Sequence, residues 1–404
     1  MLAPKLRFKE FNDEWNYNLF NEIFEFIQNN SFSRDMLNYS ENSKIYNIHY
    51  GDILTKYGEI IDFNLISNIV PKINNDISLS KFEDKSYLKN GDIIIADTAE
   101  DLTVGKSCEV INLHCKALAG LHTIPCRPKF KFTSQYLGTY INSTSYHSQL
   151  IPYITGIKVS SISKNNIIKT KIYFPTIKEQ EKISKLFSLL NKKIELQQRK
   201  IEVLKMYKRG LINKIFNIQY NNNTLRLKDL IKEKSIRNKE NIVKEVYSVN
   251  NKCGFILQAE QFKDREVASE DTSNYKIVQY NDFAYNPARI NVGSIARMKK
   301  YNKGIISPMY ICFSCKEKLL PEYLEYYYDS EVFRHEMTKR LEGSVRMCLS
   351  YEAMINIPLD LPKVEEQKRM TKVLVEIDNK IEKEETIYSA IKRLKKGLLQ
   401  KMFI

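Results

Sequence analysis

The chain contains its own echo. Residues 172–216 and 359–403 align without a gap at an offset of 187. Pro175, Glu179, Gln180, Lys185, Lys193, Ile194, Glu195, Lys205, Lys208, Gly210, Leu211, Lys214 and Phe216 all recur identically. Upstream, Tyr136-Leu137 matches Tyr323-Leu324, Gly156 matches Gly343 and Ser163 matches Ser350. With small slips, Gly91-Asp92-Ile93-Ile94 resembles Asn281-Asp282-Phe283-Ala284, and Val104-Gly105 resembles Val292-Gly293. Phe20-Asn21-Glu22-Ile23 likewise resembles Leu227-Lys228-Asp229-Leu230. The chain is therefore two tandem copies of one unit, each a variable body followed by a better-matched tail. The period is far too long for a solenoid.

The tails read as helices. In the first, apolar residues fall at Ile183, Phe187, Leu190, Ile194, Ile201, Leu204, Leu211 and Ile215. Steps of four and three give the 3.5-residue period of a coiled-coil seam. The second copy supplies Met370, Leu374, Ile377, Ile381, Tyr388, Ile391, Leu398 and Met402. Polar residues interrupt both seams in the same slots, Gln197 and Lys208 in one, Glu384 and Lys395 in the other. A helix of about 40 residues is ~60 Å long and cannot leave such a seam in water. The simplest partner for each tail is the other, packed antiparallel because the chain must return between them. Thr176-x-x-Glu179 after Pro175 predicts a capping box. The second copy has Lys363 at that cap, so its start is expected to be less sharply set.

The bodies read as α+β. Strands are expected at Ile93–Ala96, Cys108–Asn112, Tyr275–Tyr280 and Met309–Phe313, with a helix over Pro321–Arg340. Tyr220-Asn221-Asn222-Asn223-Thr224 reads as the linker. The expected domains are a first body at 1–170, a first long helix at 171–217, a second body at 218–357 and a second long helix at 358–404.

Composition narrows the function. At 404 residues with 43% hydrophobic and 27% charged, the chain has material for several cores. No run approaches the ~18 apolar residues of a membrane span, and Met1-Leu2-Ala3-Pro4-Lys5-Leu6-Arg7 has no secretory pattern. Seven dispersed cysteines fit a reducing cytoplasm, the expected location. Catalytic motifs are missing. Gly105-Lys106-Ser107 lacks the earlier glycine of a phosphate loop, since position 100 is Glu100. Asn286-Pro287-Ala288-Arg289 lacks the second proline and the aromatic of an amino-methyltransferase motif, and no glycine-rich loop for a methyl donor appears. Cys312-Phe313-Ser314-Cys315 has no second pair to complete a zinc site, and no metal site is expected. An active site within this chain, as in a methyltransferase or endonuclease fragment, is the alternative that these gaps argue against.

The net charge is +15, from 63 basic and 48 acidic residues, which favours a polyanionic partner. Residues 176–216 carry a net +7 and residues 363–403 a net +4, so the tails hold most of the surplus. The bodies carry local basic positions instead. The candidate DNA-binding residues are Lys106, Arg127, Lys129 and Lys158 in the first, and Asn286, Arg289, Arg297, Lys299 and Arg346 in the second. On the tails, the candidates for binding partner subunits are Glu179, Gln180, Lys208 and Arg209, with Glu366, Gln367, Lys395 and Lys396.

These features together resemble the DNA-specificity (S) subunit of bacterial Type I restriction–modification systems. The resemblance rests on the opening Pro4-Lys5-Leu6-Arg7-Phe8 with Trp15 and on the Pro-x-x-x-Glu-Gln starts at Pro175 and Pro362. It also rests on the Lys-Arg-Gly-Leu and Lys-Lys-Gly-Leu tail ends and on the stretch from Asn286 to Gly293. It implies two target-recognition domains held apart by an antiparallel helix pair, each reading half of a bipartite double-stranded DNA site. It also implies two modification subunits carrying S-adenosylmethionine, and restriction subunits that use ATP and Mg2+. The chain itself is then expected to bind no cofactor and to catalyse nothing.

Overall fold

The computed structural model describes residues 2–156, 158–218, 220, 224–251, 253–261, 271–343 and 347–404. Each tail is one uninterrupted helix, Ile177–Phe216 and Val364–Lys401. The chain folds as two units, 1–197 with 387–404, and 198–386. Each tail helix therefore starts in the unit of its own body and ends in the other unit.

In the first unit, the central strand Ile93–Ala96 is apolar throughout and fully buried, as a strand covered on both faces must be. Thr123–Pro128 and Ser107–Ile111 flank it antiparallel. Phe24–Phe26 and Ile60–Asp62 form the outer edges of this five-stranded sheet. A second sheet orders Ala117–Ala119, Tyr46–Ile48, Lys72–Ile73 and Leu37–Asn38. Asn16–Leu19 pairs with Lys171–Phe174, clamping the start of the body to the strand that feeds the helix.

The second unit repeats this plan. Its main sheet runs Ile231–Glu233, Ile311–Cys315, Phe283–Tyr285, Ile295–Arg297, four strands among the described residues. Its second sheet orders Gly254–Leu257, Val246–Asn250, Lys303–Ile306 and Lys276–Gln279. Thr224–Arg226 pairs with Pro358–Asp360, as the clamp does in the first unit. Backbone specials recur too: Gly91 and Asn281 are both left-handed (φ 90° and 70°), as are Gly105 and Gly293 (φ 89° and 88°). At each of these places only a turn with φ > 0 admits the chain, so the weak sequence match marks real geometry.

Some expectations are corrected. The helix expected over Pro321–Arg340 is two helices, Pro321–Tyr328 and Glu331–Thr338. Ser330 breaks it, because its side chain accepts a hydrogen bond from Phe333 N–H and caps a new start. Ser143 caps Tyr146 in the same way one copy earlier. The expected strands shift by one or two residues, to Ser107–Ile111, Lys276–Gln279 and Ile311–Cys315. In the linker, residues 221–223 lie outside the described residues.

Within each unit the two helices run antiparallel. In the second unit, Lys200 pairs with Glu384 at 2.6 Å and Lys208 with Asp378 at 2.7 Å, so partners fall as the first helix rises. In the first unit, Ile183, Phe187 and Leu190 share a core with Ile391, Met402 and Phe403. Three of the four polar interruptions of the seams are in ion pairs: Glu384 with Lys200, Lys208 with Asp378, and Lys395 with Glu59 of the first body at 2.6 Å. Polar seam residues that find a partner in only one alignment fix register at some cost in stability.

Candidate nucleic-acid interface

The invariant tail residues join each body to the helices. Gln180 accepts a hydrogen bond from Thr133 N–H at 3.0 Å and donates to the Pro175 carbonyl at 3.0 Å. Gln367 accepts from Leu320 N–H at 2.9 Å and donates to the Pro362 and Lys318 carbonyls, both at 2.9 Å. Thr133 and Leu320 are themselves 187 apart. One glutamine thus satisfies orphan backbone groups at a helix start and on the body it leaves.

The helix ends dock by aromatic packing. Phe403 lies 6.1 Å from Tyr136, 5.7 Å from Tyr140 and 5.7 Å from Phe187, ring centre to ring centre. Phe216 lies 4.8 Å from Tyr323 and 5.4 Å from Tyr327, the equivalent pair. Such edge and tilted pairs add roughly 0.5–1.5 kcal/mol each beyond the area they bury.

The glutamates differ. Glu179 does not close the expected capping box; its carboxylate receives two 2.8 Å bonds from Arg7. The opening segment of the chain is held here, with Leu6 N–H donating to the Lys401 carbonyl and Trp15 packed near Phe403. The second helix start, expected to be the looser, has the acid-to-backbone half of a box, Glu366 accepting from Lys363 N–H at 3.2 Å.

Several candidate side chains are engaged inside their own unit. Arg127 grips the buried Asp92 through two bonds of 2.9 and 2.7 Å and also donates to the Tyr87 carbonyl. Lys106 donates to the Leu54 carbonyl at 2.9 Å, and burial pulls its pKa down. Lys129 donates to the Asn21 carbonyl at 2.7 Å. Arg297, only 8% exposed, pairs with Glu322 and with Glu325 (2.9 Å) and donates to Asn281, while Lys299 joins Glu325 at 2.7 Å. Lys208 also sits over the Tyr326 ring. Lys396 is exposed. Arg209 lines an open groove of about 880 Å3 with Lys205, Arg334 and the Asn291–Gly293 turn.

The remaining described candidates lie on loops of their own bodies, next to the end of each central strand. In the first body, Thr155 and Ser161 bridge across a hairpin that presents Lys158, and Ser160–Ser161 pairs with Thr98–Ala99. Ile162 N–H donates to the Asp97 carbonyl. In the second body, Glu342 and Cys348 form the corresponding bridge, and Leu349 N–H donates to the Pro287 carbonyl. Arg346 lies outside the described residues. Asn286 accepts from Ala288 N–H at 3.0 Å, an Asx turn that leaves Arg289 exposed.

Sequence reasoning overlooked two cations at the first rim. Arg34 donates twice at 2.8 Å to Asp52, and Lys56 pairs with the same carboxylate at 3.0 Å. Asp52 is fully buried; burial alone would raise its pKa, but the two cations outweigh it and hold the carboxyl below its ordinary value. The pairing joins residues 18 apart in a stretch with no repeat partner, so no pattern in the sequence announced it.

Comparison with known proteins agrees with this architecture. Residues 12–206 match the family model described as the Type I restriction modification DNA specificity domain. The Type I restriction enzyme MjaVIII specificity subunit of Methanocaldococcus jannaschii is 24% identical over 280 residues, covering 60% of this chain. The match takes in 64% of that relative, so this chain spans less than two thirds of its length. In fold, the chain resembles the Type I restriction–modification S subunit from M. genitalium, with a TM-score of 0.55, 12% identity, and coverage of 100% of this chain and 99% of that one. A solved chain of the type I R-M system gives a TM-score of 0.59 at 14% identity, covering 95% and 96%.

Proposed function

We propose, from the match of residues 12–206 to the Type I restriction modification DNA specificity domain and from the shared fold, that this chain is the DNA-reading subunit of a Type I restriction–modification complex. Each body reads one half of a bipartite duplex site, and the paired helices set the spacer between the halves. The observation that carries this is one docking plan used twice, Gln180 with Phe403 on the first body and Gln367 with Phe216 on the second, under two bodies whose rims differ. Two readers on one scaffold suit a split site, because phosphate contacts position a protein while a few base contacts specify sequence.

The chain acts without catalysis of its own. Methyl transfer belongs to two modification subunits that bring S-adenosylmethionine, and cleavage to restriction subunits that bring ATP and Mg2+. For the modification subunits the first helix offers Leu189 and Leu196, exposed apolar residues seven apart in the first unit. The deciding experiment maps methylated bases in a genome expressing this chain with its cognate modification subunit. A split motif with a fixed spacer is expected; methylation without a motif, or methyl transfer by the isolated chain, refutes the proposal.

A further inference from the structure

The two rims present different chemistry at equivalent places. In the first body, His122 is 47% exposed in a left-handed turn (φ 54°). Its Nδ1 lies 3.3 Å from Asp97 and 3.4 Å from the Thr98 hydroxyl. Tyr50 stands edge-on to it, ring centres 5.2 Å apart, with His49 behind. The backbone beneath the turn is tightly packed: a side chain at Gly120 would meet Ile48 O at 2.9 Å and Asn47 at 2.7 Å. Arg34 reaches the same corner, its guanidinium 3.6 Å from where a Gly51 Cβ would stand.

In the second body the residue 187 positions on is Met309, which is 60% exposed. It meets Asn286, the residue that follows the central strand as Asp97 does in the first body, at 4.0 Å. Beside these two pairs, Ser160–Ser161 pairs with Thr98–Ala99 and Leu349 N–H donates to the Pro287 carbonyl. So one body places an imidazole beside a carboxylate and a hydroxyl where the other places a thioether beside a carboxamide. The buried frame under each is shared, from the left-handed Gly105 and Gly293 to the strand that ends at the rim.

We propose that His122 with Thr98 in the first body, and Met309 with Asn286 in the second, are the residues that determine which bases each half-site carries. This rests on the DNA-reading function proposed above and locates it. Major-groove edges are told apart by donors and acceptors and by the thymine methyl group. His122 and Thr98 suit a polar purine edge. Met309 suits apolar contact with a thymine methyl, and the Asn286 amide beside it is a donor. Arg34, fixed by buried Asp52, and Lys158 are the adjoining cations for the phosphate backbone, which position without specifying.

The test uses the full chain with its modification subunit and maps methylated sites for the parent, His122→Ala, Thr98→Ala, Met309→Ala and the reciprocal pair His122→Met and Met309→His. His122→Ala is expected to relax or change at least one base of the first half-site, with roughly tenfold loss of discrimination there, and to leave the second half-site alone. Met309→Ala does the converse. Unchanged motifs in all variants, or both halves changing together, overturn the inference while the split motif of the parent keeps the function intact. A parent with no split motif sinks the function itself. If His122→Ala lowers the melting temperature and abolishes methylation, the motif read by Thr98→Ala decides for the first rim.

Discussion

Arg297 occupies a place where the two copies exchange charge, and replacing it has a calculable effect. Its counterpart by the repeat is Glu109, on the equivalent strand of the first body. Glu109 accepts from Gln135 N–H at 2.6 Å and Gly138 N–H at 2.9 Å. Those two positions become Glu322 and Glu325 in the second copy, and there the strand residue is the arginine that pairs with both. In Arg297→Met the volume stays but three polar partners are lost, Glu322, Glu325 and Asn281. A fully buried broken pair costs about 3–5 kcal/mol. Here Glu322 and Glu325 are 34% and 23% exposed and Glu325 keeps Lys299, so water and one cation take up part of the loss. The expected destabilisation is about 2–4 kcal/mol. At ~2–4 °C per kcal/mol for a unit of this size, melting of residues 198–386 should fall by roughly 5–15 °C. Calorimetry reads the shift, and hydrogen exchange in the strands Phe283–Tyr285 and Ile311–Cys315 assigns it to the right unit. The further change of Glu322 and Glu325 to Gln should recover part of the loss. A single variant within about 0.5 kcal/mol of the parent, the range of an ordinary surface substitution, would show that the cluster is a surface arrangement and that the charge exchange carries no energy.

Three further outcomes follow from the same contacts. Burial pushes the Glu109 carboxyl up to about 7 from its ordinary 4.5, against the pull of the two backbone N–H groups. Its contribution to stability is therefore complete below pH 4.5 and is lost as pH rises through 7, of the order of 3 kcal/mol in all; Glu109→Gln should flatten the decline between pH 5 and 8 in urea titrations, and an unchanged slope counts against it. Gln367→Ala strands Leu320 N–H and two carbonyls in a buried site and should cost about 2–3 kcal/mol by denaturant unfolding, whereas an exposed glutamine would cost next to nothing. Seven residues inserted after Gln197 and seven after Thr386 fall at the boundary of the two units and leave the pairs Lys200–Glu384 and Lys208–Asp378 intact. Both helices gain ~10 Å, so the methylated motif should acquire about three more base pairs of spacer, with weaker activity because the second half-site also rotates by roughly 100°; an unchanged spacer at full activity means that the helices do not measure DNA.

The scaffold was legible in the sequence because both copies must solve the same packing problem. A seam residue such as Phe187 or Leu374 has to be apolar at a fixed step, and Phe216 and Phe403 have to meet a tyrosine pair, so the pattern survives divergence of everything around it. The split of Pro321–Arg340 at Ser330 is hidden from the sequence even though Ser143 stands at the same place one copy earlier, because a serine cap is silent in an apolar periodicity. The site was far less legible. Basic residues were picked by charge, and charge does not say whether a partner lies within the fold. Arg127 and Arg297 have buried or half-buried carboxylates waiting for them, at Asp92 and at Glu322 with Glu325. Arg34 and Lys56 also share a carboxylate, yet each remains more than 40% exposed, which nothing in the sequence separates from the case of Arg127.

That difference bears on how such a chain can change its target. Residues that hold the body to the helices, such as Gln180, Gln367, Phe216 and Phe403, are buried and matched to backbone or rings. Altering one of them costs stability before it alters recognition. The rim residues are held by fewer buried contacts: His122 meets Asp97, Thr98 and Tyr50 but is 47% exposed, Met309 is 60% exposed, and with Lys158 they stand on turns and loops whose paths are set by Gly120, Gly156 and backbone bridges beneath them. At Gly156, φ is 107° and a side chain would meet the Val159 carbonyl, so the hairpin keeps its path while the residues on it vary. Under the proposed function, a chain built this way can exchange base contacts one body at a time. The paired seam, with ion pairs at its polar slots, keeps the helix register unchanged while it does so.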